Sequence, residues 1–149
     1  MDWKLELVTV PVSDIDRAKA FYTEKVGFEV NTDNEVPGFR VVQLTPPGSA
    51  CSIFLGKDIP AAPPGSAHGL HLVVTDIEQA RKELVDRGVE AGEIVHFGST
   101  GQVPGPDPDR SDYNSFVFFN DPDGNSWAVQ EVRGRSSGRW PDRSAAGPR

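Results

Sequence analysis

The chain has 149 residues, one cysteine and a formal net charge of −7. That length suits one domain with a core of its own, the negative charge argues against a phosphate backbone as partner, and a lone Cys51 builds neither a disulfide framework nor a cysteine zinc site. No apolar run approaches the roughly 20 residues that span a bilayer and the N-terminal residues carry no signal-peptide pattern, so the expectation is a cytoplasmic protein with no membrane or nucleic-acid partner.

The first predicted strand alternates Leu5, Leu7 and Thr9 with Val8, Val10 and Val12. Asp14 is placed to cap a helix, and Ile15, Ala18, Phe21, Tyr22 and Val26 recur at the spacing of a helix buried on one face. Strands are predicted over 28–32, 39–45 and 51–55, with Pro46-Pro47-Gly48 turning the chain between the last two. Residues 57–67 read as a Pro/Ala/Gly linker. Beyond it come a strand over 69–75, a helix over 77–87 capped by Asp76, and a strand over 89–95. Residues 98–112 are too proline-rich for regular structure, and loops of that length tend to be lids or binding loops. Strands over 114–119 and 126–132 flank the turn Asp121-Pro122-Asp123-Gly124.

Two stretches 62 residues apart repeat each other. Val12-Ser13-Asp14-Ile15-Asp16-Arg17-Ala18-Lys19 matches Val74-Thr75-Asp76-Ile77-Glu78-Gln79-Ala80-Arg81, and each opens a helix ending near a glycine, Gly27 or Gly88. A second echo pairs the turn and strand after Pro47 with those after Pro122. Two copies of one supersecondary unit imply a pseudo-symmetric domain with its cleft between them. The expected fold is α+β: two pseudo-symmetric βαβββ modules forming a curved mixed sheet around a cleft. Module 1 covers 4–56, the linker 57–67 and module 2 68–132, together a single domain over 1–132. A basic tail, 133–149, holds five Arg and one Asp, a net +4 that leaves −11 on residues 1–132. Its composition is that of a disordered segment, and its opposite charge raises a further reading, that tail and body join neighbouring copies.

The residues Val12-x-Asp14-Ile15-Asp16-Arg17-Ala18-x-x-Phe21-Tyr22, with Val26-Gly27-Phe28, resemble the helix signature of the vicinal oxygen chelate superfamily, which includes glyoxalase I, bleomycin-resistance proteins and extradiol dioxygenases. Asp121-Pro122-Asp123-Gly124-Asn125 followed by Gln130-Glu131 resembles its closing strand pair. The resemblance covers about 4–132. It implies paired βαβββ modules, often in a homodimer, and a divalent metal (Fe, Mn, Ni, Co or Zn) held by four side chains. The positions it assigns to those ligands are Leu7, Phe54, Gly69 and Ala128, none of which carries a donor. The expectation is therefore no cofactor and no metal residue.

Strand parity supports this register, because alternate side chains point to opposite faces. With Val8, Val10, Val12, Leu70, Leu72 and Val74 packed inward, Leu7, Thr9, Phe54, His71, Ala128 and Gln130 face the cleft and are the expected ligand-binding residues. His71 is either a general base or a hydrogen-bonded polar group. Tyr113, with Asp112 and His96, flanks the long loop and could reach over as part of a lid, making Tyr113 the second catalytic candidate. Phe116 and Phe118 share a face that the sequence does not assign. The expected function is binding of a small hydrophobic or aromatic ligand without the metal. The rivals are a metal-independent lyase or isomerase using His71, and a metal-dependent glyoxalase or dioxygenase.

Overall fold

Two aspartates start the two helices. The Asp14 carboxylate accepts the backbone N–H of Arg17 at 3.0 Å, and that of Asp76 accepts from Glu78 and Gln79 at 3.1 Å, so each helix begins where its cap is expected. The computed structural model describes residues 1–134; the tail beyond them, with the reading attached to it, lies outside the described residues.

Module 1 runs β1 (Leu7–Pro11), α1 (Ile15–Ala20), a π-helical segment (Phe21–Val26), β2 (Glu29–Val36), β3 (Phe39–Thr45) and β4 (Ser52–Gly56). Within the π-helical segment Tyr22 is buried and Phe21 packs beside it against the core. Gly27 then ends the helix at φ 92°, a left-handed conformation that costs glycine little. Module 2 runs β5 (Leu70–Val74), α2 (Ile77–Asp86), β6 (Val95–Gly98), β7 (Gly101–Pro104), β8 (Phe116–Asn120) and β9 (Ser126–Glu131).

The architecture is α+β, with its strands divided between two mixed sheets, ordered β1-β4-β3-β2 and β5-β9-β8-β6-β7. In each, the first strand pairs in parallel with the last, β1 with β4 and β5 with β9. Both sheets and both helices share one core that includes Val10, Val12, Tyr22, Leu44, Leu55, Ile77, Val117 and Trp127. The inward parity read from the sequence holds on all four strands used to test it. No described helix is long and apolar enough to cross a membrane.

Several boundaries differ from expectation. The strand placed over 89–95 starts only at Val95, because Val89 N–H turns back to the Leu84 carbonyl at 2.9 Å and closes the helix end. Residues 98–112 are not free of regular structure: Gly101–Pro104 forms β7, paired with β6. β2 reaches Val36 rather than 32, and β8 starts at Phe116 because the Asn114 side chain is bonded to the backbone of Phe97 on both sides. The linker is fastened down: Gly65 N–H donates to Pro11 O and Ala67 N–H to Asn125 Oδ1.

Candidate functional site

Each sheet turns one face to the core and leaves the other open. On the β5-side sheet, register places His71, Ala128 and Phe118 in one row and Val73, Gln130, Phe116 and Val95 in the next. All share the open face, which settles the side taken by Phe116 and Phe118. Their rings lie 5.9 Å apart and nearly parallel; Phe97 meets Phe116 edge-on at 5.4 Å, and the His71 ring meets it edge-on at 6.4 Å. Phe97 and Phe118 are 47 and 43 % exposed, so this aromatic row is surface in a single chain. Ala128 is buried as its floor.

The open face of the other sheet is more polar. It carries Leu7, Thr9, Phe54 and Phe39, with Ser52 and Thr45 hydroxyls 2.7 Å apart and Asn31 bonded to Thr45. Phe39 and Phe54 stack at 6.3 Å. The expected ligand-binding residues therefore fall into two groups on two sheets: Leu7, Thr9 and Phe54 on one, His71, Ala128 and Gln130 on the other. Extensive strand contacts stay within each sheet, so the two groups do not close on each other within the described chain.

The long loop is strapped to the protein. Arg110 spans it, donating from Nε and Nη2 to the Glu131 carboxylate at 2.9 and 2.5 Å and from Nη1 to Glu78 at 2.7 Å. Glu131 is fully buried and also accepts the Ile77 N–H of α2 at 2.9 Å. The Arg110 hydrogen bonds hold its carboxyl below the usual carboxylate range. Of the expected lid residues, His96 Nδ1 lies 2.8 Å from Gly105 O and Asp112 accepts the Arg133 N–H. Tyr113 sits at φ 72°, held by its N–H to Glu131 O and by Gln130 Nε2, which donates to its carbonyl at 2.9 Å. The amide nitrogen of Gln130 is thus spent on the loop. Sequence reasoning missed Arg110 and Glu131. The signal was there: Glu131 has the inward parity of Trp127 and Val129, and a core-facing carboxylate needs a partner.

The four positions that the resemblance gives to a metal do not fit one. Leu7 and Phe54 sit on one sheet, Gly69 and Ala128 at the other, and none supplies a side-chain donor atom. Among the described residues, no group of three or more His, Cys, Asp or Glu side chains is placed to hold a metal ion.

A family model for the Glyoxalase/Bleomycin resistance protein/Dioxygenase superfamily matches residues 4–129. The structure resembles TnmS3, an antibiotic binding protein from Streptomyces sp. CB03234, at TM-score 0.70 and 32 % identity, over 87 % of this chain and 96 % of that one. It also resembles a member of the same superfamily from Sphaerobacter thermophilus DSM 20745, at TM-score 0.69 and 30 % identity, over 88 and 98 % of the two chains. In sequence, YwkD, an uncharacterized protein of Bacillus subtilis (strain 168), is 31 % identical over 123 residues, 78 % of this chain and 87 % of its own.

Proposed function

The chain belongs to the superfamily that matches it, and from that premise we propose that it is a binding protein for a small hydrophobic or aromatic ligand, working without the family's metal. The observation that carries this reading is the row of exposed Phe97 and Phe118 with half-buried Phe116 between them, beside His71. Solvent-facing aromatic surface of this kind suits a flat ligand, and TnmS3 is an antibiotic binding protein of similar fold. His71 and Thr9 orient the ligand, Phe54 and Leu7 supply apolar area, and Ala128 leaves room above the floor.

The binding unit in this reading is a homodimer, in which the polar open face of one copy covers the aromatic open face of the other. Three observations support it: both faces are exposed, β1 and β5 are edge strands, and Trp3 and Leu5 just ahead of β1 are 89 and 68 % exposed.

Fluorescence titration with a panel of polycyclic aromatic antibiotics tests the proposal. Saturable binding weakened by Phe116→Ala is expected; no binding, or binding indifferent to Phe116→Ala and Phe118→Ala, refutes it. Elemental mass spectrometry on protein purified without chelator tests the metal. Near-stoichiometric Fe, Mn, Ni, Co or Zn would return glyoxalase or dioxygenase chemistry.

One observation favours a second reading. The His71 imidazole stands exposed on this face against Phe116, where it could act as the base of a metal-independent lyase or isomerase, with Tyr113 at the rim. His71→Ala separates the two. A binder loses about 1–2 kcal/mol of affinity, the scale of one hydrogen bond, whereas an enzyme loses about 10² or more in rate while still binding.

A further inference from the structure

β3 and β4 are paired only at Gln43↔Phe54 and Leu44↔Ile53. β3 nevertheless begins at Phe39 and β4 continues to Gly56, so the two strands part and leave a notch between the β2–β3 hairpin and the end of β4. The notch is a cavity of about 560 Å³, within the range that takes a drug-sized molecule. Its apolar wall is the Phe39–Phe54 stack with Val36 and Ile59.

The rim decides the charge of the occupant. Six charged residues line it: Asp14, Asp16, Glu35 and Asp58 against Arg40 and Lys57. Arg40 is consumed internally, donating from Nη1 to Asp16 at 2.7 Å and from Nε and Nη2 to Asp33 at 3.0 Å. Asp16 is spent in the same pairing. What faces an occupant is then Asp14, Glu35 and Asp58 against Lys57, an excess of carboxylate over an aromatic shelf. That combination rejects anions and gives a flat cation two attractions at once, to the carboxylates and to the faces of Phe39 and Phe54.

We propose that this notch is a binding site for an organic cation bearing a flat aromatic ring, seated on Phe39 and Phe54 with its charge toward Glu35 and Asp58. The site shares Phe54 with the ligand face proposed above and in that respect rests on that reading, but the preference for a cation is read from the notch itself. It also does not use His71, Phe116 or Phe118, which lie on the other sheet.

Two dyes of one ring system test it: 9-aminoacridine, a cation at neutral pH, and acridine, largely neutral there. Each is titrated by fluorescence into the full-length protein at low salt. The cation is expected to bind about tenfold more tightly than the neutral ring, with the advantage shrinking as salt rises. Because residues 1–132 carry −11, some attraction belongs to the whole surface, and local variants must remove the rest. Phe39→Ala should weaken the cation about fivefold. The pair Glu35→Gln and Asp58→Asn should bring the two dyes to near equality. Phe39 is 56 % exposed and Val36 50 %, so Val36→Lys, which places a cation in the notch, repeats the test should Phe39→Ala melt early. Equal affinity for the two dyes overturns the proposal. So does a preference that survives both the Phe39 and the carboxylate variants. Binding lost on Phe118→Ala but kept on Phe39→Ala also overturns it, while leaving the aromatic face of the other sheet in place as a ligand site.

Discussion

Tyr22, in the π-helical segment of module 1, donates its hydroxyl proton to Asp121 of module 2 at 2.7 Å and accepts the Trp127 indole N–H at 2.9 Å. The same carboxylate accepts the backbone N–H groups of Asp123 and Asn125, while the Asn125 side chain donates to Pro11 O at the end of β1. One buried network thus joins the helix of one module to the closing turn of the other. Burial, then the Asp121 charge, pushes the phenol far above its ordinary pKa, so it remains a donor.

Replacing Tyr22 by Phe keeps the ring packed on Phe28 and Trp127 but strands the buried indole N–H and takes one hydrogen bond from Asp121, which keeps those from Asp123 and Asn125. The expected cost is about 1–3 kcal/mol, read from urea unfolding. A loss below about 0.5 kcal/mol would show that the network contributes little.

Glu131 predicts an acid response. Its folded pKa lies below the usual value, through the Arg110 hydrogen bonds first. A depressed carboxyl pKa adds stability above the unfolded value of about 4.3, and that stability is lost as pH falls through the folded value. Asp33, held down by Arg40 and Lys19, and Asp107, held down by the Ser111 amide, act in the same direction. Glu131→Gln should therefore lower stability at neutral pH by about 3 kcal/mol and make the acid decline shallower without abolishing it. Urea midpoints between neutral and acid pH decide this. A variant whose midpoint falls as steeply as the parent's contradicts it.

What could be read ahead of the structure was whatever local pattern dictates. Asp14 and Asp76 announce their helices, and the alternation through Val8–Val12 and Leu70–Val74 fixes which side chains face the core. The pattern fails where both faces are apolar: Phe116, Val117, Phe118 and Phe119 carry no period-two contrast, so only the ladder with β9 assigns them. It fails again where a long-range pair overrides composition. Residues 98–112 look like an unattached loop until Arg110 meets Glu131, 21 residues on. That the ligand-facing residues divide between two modules was legible from the repeat; whether the two groups meet within one chain was not, because it depends on how the modules share their core.

Phe118 separates binding from folding. It is 43 % exposed on the aromatic row, and Ala in its place should change stability by less than about 1 kcal/mol. It should weaken an aromatic ligand by about 0.5–1.5 kcal/mol, the worth of one ring pair. Thermal melting and a binding titration on the same preparation give both numbers. A variant that unfolds early and binds normally would make Phe118 a packing residue.

The exposed segment before β1 carries the test of assembly. Trp3 and Leu5 leave large apolar area in water at the open edge of a sheet, and full burial of such a side chain is worth about 1.5–3 kcal/mol. If a second copy covers them, Trp3→Ser with Leu5→Ser removes several kcal/mol from the dimer interface while leaving the core untouched. The parent should then show twice its 16.2 kDa chain mass in light scattering, and the double variant should shift toward a single chain. Ligand affinity should fall with it, because the aromatic row would lose the face that covers it. A parent that already runs as one chain removes the dimer and places ligand binding on the single aromatic face alone; a double variant that keeps both its doubled mass and its affinity removes Trp3 and Leu5 from the interface.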